Sequence, residues 1–340
     1  MGWARCRPTY IIYFNKNSVH EKQWQYGCYM YDLVIIGGGV SGLAAGIYSG
    51  RFLMKTALVA EVMGGTIIST DDIANYPGFK KISGLGLINQ LQVHLRDYDV
   101  EIIYDRVTSL EKCQDGCFEI LMKDGNFHSK SIILATGTEW RKLKAPGEEK
   151  FANRGVHYCA LCDGPFYKNK VVGVVGGGDS AAKESLVLTQ YAQKVYIINR
   201  GENIKPEPIN LKRVMENDKI EIINNTNVLE IKGEERVDHV VFDRPYRGSK
   251  ELKLNGLFID IGHVPLSYLA KEIGVELNDQ GEVITDRESK TNVDGFFAAG
   301  DVVDTRFKQA ITGVAEGVTA AYSAYRYVTN KDIICFCDDK

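Results

Sequence analysis

Two short runs of apolar, largely β-branched residues organise the chain, and each ends in glycines. Residues 32–36 lead into Gly37-Gly38-Gly39-Val40-Ser41-Gly42, and residues 171–175 lead into Gly176-Gly177-Gly178-Asp179-Ser180-Ala181. An apolar run without polar alternation is the pattern of a parallel strand buried on both faces. Helical spacing follows each turn, over 43–52 and 182–192, and each helix gives way to another apolar run, over 56–60 and 194–198. Strand, glycine turn, helix and strand make a βαβ unit, and the chain has two. Further strands are expected over 131–135, 220–224, 256–261 and 295–299, and a last helix rich in small residues over 310–329.

With 340 residues the chain is long for a single core and suits two domains. A charged stretch over 141–150, containing Pro146-Gly147, reads as one crossing between them, and residues 263–267, punctuated by Gly262 and Pro265, read as the return. The second βαβ unit is therefore inserted into the first domain. The expected boundaries are an extension over 1–29, a first domain over 30–141, an inserted domain over 142–266, and the rest of the first domain with a tail over 267–340. The apolar segment 10–14 is too short for a signal-peptide core, and no small-residue cleavage site follows it. Residues 1–29 are read as a poorly ordered extension, or as preceding a true start at Met30.

Composition narrows the function classes. The sequence is 44% hydrophobic and 25% charged, with a net charge of −3 and no long basic run, which argues against a nucleic-acid surface. No apolar stretch reaches a membrane span, so a cytoplasmic location is expected. Glycine is abundant, at 34 residues against 8 prolines, which suits nucleotide turns better than disorder.

Gly37, Gly39 and Gly42 fit G-x-G-x-x-G in the strand–turn–helix context that a dinucleotide requires. They supply a tight turn, close approach to a pyrophosphate, and helix–strand packing. Glu61 lies about 20 residues on, where an acid meets a ribose hydroxyl; it would equally serve to cap a loop. Gly176, Gly178 and Ala181 form a G-x-G-x-x-A version, often compatible with NADP. The strand after it ends at Asn199-Arg200, with no carboxylate for a ribose 2′-hydroxyl. Arg200, helped by Lys205, can instead meet a 2′-phosphate, or both belong to a solvated loop. Gly300-Asp301 ends a strand where a carboxylate can meet a flavin's ribityl chain, and Lys308-Gln309-Ala310 begin a helix whose N–H groups can face the flavin ring. A simple helix cap at Asp301 or Asp304 would look the same.

Cys159-Ala160-Leu161-Cys162-Asp163 carries the chemistry. A C-x-x-C pair can close and reopen a small disulfide ring, one thiol attacking a substrate disulfide and the other resolving it. Asp163 stands where it can exchange a proton with the thiols. A zinc half-site is the rival, but structural zinc needs four ligands. Cys113 with Cys117, or Cys335 with Cys337, would have to complete it, and no metal is expected. The Cys335/Cys337 tail is either incidental or a second redox relay. His157 either tunes the thiols or only packs.

Together these residues resemble the low-molecular-weight thioredoxin reductases over about 31–330. The markers are residues 37–42, Asn75-Tyr76-Pro77-Gly78, Ala135-Thr136-Gly137, residues 159–163 and 176–181, Gly262 to Pro265, and Gly300-Asp301-Val302 with Gln309-Ala310-Ile311-Thr312. The fold class this resemblance implies is α/β, with two Rossmann-like, three-layer ββα dinucleotide-binding domains, the nicotinamide domain inserted into the FAD domain. FAD would lie along the first domain, near Asn75, Thr136, Gly137, Gly300, Asp301, Gln309 and Ala310. Cys162 would face the flavin, Cys159 would attack thioredoxin or a similar small protein, and Asp163 would be the acid–base residue. A homodimer is implied, with a nicotinamide domain that rotates between two positions. The family's His-Arg-Arg and later Arg read here Asn199-Arg200-Gly201 and Lys205. Its Gly-Gly-Gln reads Gly64-Gly65-Thr66, and its Asn-Thr reads Leu266-Ser267. NADPH is favoured over NADH as donor. The alternatives are a ferredoxin-linked flavin thioredoxin reductase and a non-catalytic nucleotide-sensing flavoprotein.

Overall fold

The computed structural model describes residues 30–330 except 71, 72 and 124. Expectations for 1–29 and for Cys335 and Cys337 lie outside the described residues. The described residues divide into two compact units, one built from 30–138 and 265–330 and the other from 139–264.

In the first unit, five parallel strands lie in the order Phe296–Ala298, Ile132–Leu134, Leu33–Gly38, Thr56–Met63, Val100–Ile103. Successive side chains of a strand point to opposite faces, and both faces here are apolar. Val34, Ile36, Ala57, Val59, Ile132 and Leu134 face a core shared with Leu110, Phe118, Ile120 and Phe127. Those partners belong to a second sheet of four strands, ordered Met30–Tyr31, Gly125–Ser129, Phe118–Met122, Val107–Lys112. Leu33, Ile35, Leu58 and Ile133 face the other way, against Leu43 and Ile47 of helix Val40–Arg51, Ile88 and Leu95 of helix Gly84–Leu95, and Ala320, Ala321 and Ala324 of helix Ala310–Asn330. Sheet, sheet and helices make the three layers.

The second unit repeats the plan. Its five parallel strands run Val156–His157, Gly256–Ile259, Val171–Val175, Lys194–Ile198, Ile220–Ile223. A meander of Val228–Gly233, Val237–Tyr246 and Ser249–Lys253 covers one face, and helices Asp179–Leu188 and Pro208–Met215 cover the other.

Both βαβ motifs take the expected form, with helices that begin earlier than the spacing suggests. The first starts at Val40 instead of residue 43, and the second at Asp179 instead of residue 182. The residues that open these helices, Val40-Ser41-Gly42 and Asp179-Ser180-Ala181, are mostly small and set no apolar repeat, so the pattern becomes visible a turn late. The crossings fall at 138/139 and 264/265, a few residues before 141/142 and 266/267. The reason is local pairing. Thr138–Trp140 and His263–Pro265 form a two-stranded ribbon, extended by hydrogen bonds from Arg141 N to Gly262 O and from Leu266 N to Gly137 O, at 2.9 and 3.0 Å. The coil after the first crossing is closed by the buried Glu148, whose carboxylate accepts the N–H groups of Leu143 and Lys144 and the Tyr158 hydroxyl. The antiparallel sheets and helix Gly84–Leu95 were not read from the spacing of the sequence.

The last helix of the first unit packs on the first helix through contacts that exclude side chains. A Cβ on Gly317 would sit 2.2 Å from the Ser41 carbonyl oxygen. Gly317→Ala is expected to destabilise the first unit by about 1–3 kcal/mol, the usual cost of overpacking a tight contact. Urea unfolding followed by tryptophan and flavin fluorescence checks this.

Candidate active site

The first unit's expected FAD residues converge on one edge of its parallel sheet. The C-terminal ends of adjacent strands carry Gly300 and Asp301, then Thr136 and Gly137, then Gly37 to Gly42, then Glu61. Ligands of open α/β sheets bind at that edge. Gly37 holds φ +122°, and a Cβ there would strike the Ala135 carbonyl oxygen at 2.1 Å. A Cβ on Gly42 would lie 1.9 Å from Gly37 O, so helix and strand meet backbone to backbone. Gly39 differs, since a Cβ there meets nothing within 4 Å. Gly39 caps the helix without a side-chain hydrogen bond, so the first-turn N–H groups open onto this space. A pyrophosphate fits such a cradle.

Around it, Asn75 Nδ2 donates to Gln309 Oε1 at 2.8 Å, joining two expected site residues far apart in sequence. Gln309 directly precedes the helix that starts at Ala310. Thr136 is tied into the fold: its hydroxyl donates to Leu266 O at 2.7 Å. Glu61 is exposed at the end of its strand. Glu316 went unnoticed in the sequence. Its carboxylate accepts Gly300 N–H at 2.8 Å and the Thr305 hydroxyl at 2.7 Å, bracing the turn that carries Asp301. Lys308 is a second such brace, donating to Asp301 O at 2.9 Å and pairing with Glu282 at 2.9 Å. No local motif marks Glu316, and Lys308, expected at the start of the following helix, instead precedes it as a brace, the helix starting at Ala310.

The second unit repeats the glycine geometry. A Cβ on Gly176 would meet Asp260 O at 2.0 Å, whereas one on Gly178 meets nothing within 4 Å. Ala181 is buried at the helix–strand contact. Asn199 is buried, with both ends of its amide engaged inside the fold, on Gly201 and on Asn224. Arg200 and Lys205 are exposed. Lys205 N donates to Gly177 O at 2.6 Å, which draws its loop onto the glycine turn.

The cysteines leave the same C-terminal edge of the second sheet, from the strand Val156–His157. Cys159 and Cys162 are joined in a disulfide, with Cα atoms 5.4 Å apart. A four-residue helix, Ala160–Asp163, lies between and after them, and Cys162 N–H donates to Cys159 Sγ at 3.1 Å. Cys159 is buried and Cys162 exposed. A separate group, Cys113, Asp115 and Cys117, brings its ligand atoms within 4.8 Å at a hairpin turn of the first unit. Those are three donors, one short of a structural zinc set.

Two acids absent from the sequence reading lie here, Glu184 against the helix that holds the cysteines and Asp260 at the end of the neighbouring strand. Glu184 accepts the Ala160 N–H in a short hydrogen bond. Burial pushes its carboxyl up to about 7, opposed by that hydrogen bond and reinforced by Asp260 and Asp163. Burial also raises Asp260, to about 6. A run of acids able to hold protons near neutral pH thus lies at the redox pair, a concentration typical of proton-exchanging sites.

This is the architecture of a disulfide oxidoreductase with two dinucleotide-binding units. The family model for pyridine nucleotide-disulphide oxidoreductases matches residues 31–317. A thioredoxin reductase of Treponema pallidum (strain Nichols) is 37% identical over 301 residues, covering 88% of this chain and 97% of the relative. The crystal structure of Lactococcus lactis thioredoxin reductase superposes with a TM-score of 0.85 at 39% identity, covering 88% of this chain and all of that one. The T. acidophilum enzyme gives 0.82 at 33%, covering 87% and 98%. The chain belongs to the thioredoxin reductases of the pyridine nucleotide-disulphide oxidoreductase family, whose cofactors are FAD and a nicotinamide dinucleotide.

Glu184 yields a pH test. The folded carboxyl keeps its proton to about pH 7, whereas its ordinary value is 4.5. The folded state therefore binds the extra proton between those values and loses stability as pH rises through them. Glu184→Gln removes that loss while keeping an acceptor for Ala160. Relative to the parent, the variant is expected to gain about 1–3 kcal/mol in urea unfolding on going from pH 5 to pH 8.

Proposed function

We propose that this protein carries reducing equivalents from NADPH to thioredoxin or a similar small redox protein through the Cys159–Cys162 disulfide. The observation that supports this reading best is that disulfide, set beside Asp163 at the strand edge that also bears the second glycine turn. FAD, when bound, supplies the relay that accepts a hydride and passes on two electrons. Residues 37–42, Asn75, Gly300, Asp301 and Gln309 would hold it. Gly176, Gly178 and Ala181 would hold the nicotinamide nucleotide.

The protein's own steps are thiol chemistry. Once the pair is a dithiol and Cys159, buried in this structure, has been uncovered, Cys159 attacks the partner's disulfide as a thiolate. The Cys162 N–H that points at its sulfur favours that charge. Asp163 gives a proton to the leaving thiolate. Cys162 then displaces the reduced partner, and the Cys159–Cys162 bond closes again, two electrons having passed to the substrate. NADPH is preferred over NADH because Asn199 is occupied inside the fold and Arg200 and Lys205 are the exposed cations at the strand end, on either side of Glu202. We assign a homodimer and a cytoplasmic location to the enzyme by its resemblance to the family.

Anaerobic titration tests the reading. NADPH is expected to bleach the flavin at lower concentration than NADH. A flavin left oxidised by both, yet bleached by reduced ferredoxin, would replace this reading with a ferredoxin-linked one. Arg200→Ala is expected to raise KM for NADPH about tenfold, the scale of one charge-assisted contact to a phosphate, and to leave KM for NADH nearly unchanged. Cys159→Ser is expected to abolish thioredoxin reduction with FAD retained; full activity in that variant would refute the assigned attacking thiol.

A further inference from the structure

We propose that His157, fixed by Tyr167, is a positioning residue that holds Asp163 for proton exchange with the redox cysteines. The inference rests on reading Cys159–Cys162 as the exchanging pair.

His157 ends the edge strand two residues before Cys159, and its side chain is buried at 6% exposure. The imidazole stacks on Phe258, with centroids 5.3 Å apart, and meets the edge of Tyr167 at 5.4 Å. Its two nitrogens face different partners. Nε2 lies 2.7 Å from the Tyr167 hydroxyl, and Nδ1 lies 3.1 Å from Asp163 Oδ2.

These contacts select a tautomer. Burial pushes the Tyr167 phenol up to about 12, so it keeps its proton at neutral pH. The only hydrogen bond found for that hydroxyl among the described residues is to His157 Nε2. Were Nε2 the protonated nitrogen, the phenol proton would have no acceptor and a bare Nδ1 lone pair would face a carboxylate. With Tyr167 donating to Nε2, the ring proton sits on Nδ1 and points toward Asp163.

Burial lowers the basicity of His157, against the pull of Asp163, so the ring faces the carboxylate as a neutral donor. The Nδ1–Asp163 contact is at pairing distance but off the line of a formed hydrogen bond, and Nδ1 has no other partner. A buried N–H left unpaired is costly. That penalty turns the carboxyl toward the ring and leaves its other oxygen for the thiols. The charged or titratable groups around this relay are Asp163 and Tyr167 on His157, Glu184 beside Asp163 with Asp260 acting on Glu184, and Lys170 over the Tyr167 ring with Arg236 also acting on Tyr167.

The test isolates the thiol step. The holoenzyme is reduced chemically to the dithiol, desalted, and mixed in stopped flow with hydroxyethyl disulfide, whose leaving thiolate needs a proton. The reaction is followed by loss of thiolate absorbance across pH. Removing a donor from a carboxylate raises its pKa, so His157→Leu is expected to move the alkaline limb upward by about one pH unit, while the lost positioning of the acid lowers the plateau rate on the acid side of that limb about tenfold. His157→Asn, whose amide nitrogen replaces Nδ1, is expected to restore much of both. Tyr167→Phe, which removes one hydroxyl, is expected to shift the limb in the same direction by less, and it decides the matter if His157→Leu does not fold. A limb unmoved in every folded variant overturns the proposal, whatever happens to the rate. Failure of the parent dithiol to reduce oxidised thioredoxin, with hydroxyethyl disulfide still reduced, refutes the assigned partner instead, and the limb shifts still judge His157.

Discussion

In both units a helix begins within four residues of the end of a buried strand, and strand and helix touch where the helix carries at most a methyl group. Gly42 packs on the Gly37 carbonyl in the first unit, and Ala181 packs near Gly176 in the second. A larger residue at either contact would lift the helix off the sheet. Because the helix stays close, its first-turn N–H groups open over Gly39 or Gly178, where a phosphate can approach the backbone. Neighbouring strands of the first unit end at the same edge, which carries Gly300, Thr136 and Glu61 to the place where one extended cofactor can touch them all.

The second unit uses that edge twice. One strand end carries the nucleotide turn, and the edge strand carries the cysteines. Between them lie Asp260 and Glu184, acids whose burial keeps protons on them well above the usual carboxylate range. A thiol–disulfide exchange moves protons as well as electrons, and a desolvated acid cluster keeps both ionisation states within reach near neutral pH. The same burial makes the cluster a cost to folding that grows with pH, so stability and chemistry draw on one feature.

The repetition has a limit. The first unit's glycine cradle is braced across its two segments by Asn75 on Gln309, and within one segment by Glu316 on the Gly300 N–H, whereas the second unit's turn is held within a single segment by Lys205 and by Asp179, which accepts from Glu207 and Asn210. The first arrangement requires both segments of the interrupted unit, so the residues expected around FAD assemble only after the chain has returned from the inserted unit.

Sequence alone determined the two βαβ motifs, the insertion of one unit in the other, and the cysteine pair with Asp163. Those are local signals: an apolar run, a glycine spacing, two cysteines three apart. Strand 171–175 was legible to the residue because a strand buried on both faces leaves an almost unbroken apolar run, and strand 194–198 because its four apolar residues follow the helix of the second βαβ unit. The meander strands were not, since they are half exposed and rich in charge. Val237–Tyr246 alternates buried with open positions and includes Asp238, His239, Asp243 and Arg244. Glu184, Asp260, Glu316 and Tyr167 could not be singled out from their neighbours, because nothing in their local sequence marks them. Only the tertiary structure decided their roles, by removing water from two carboxyls, by bringing Glu316 to a turn 16 residues away, and by placing a phenol and a carboxylate on opposite nitrogens of one buried imidazole.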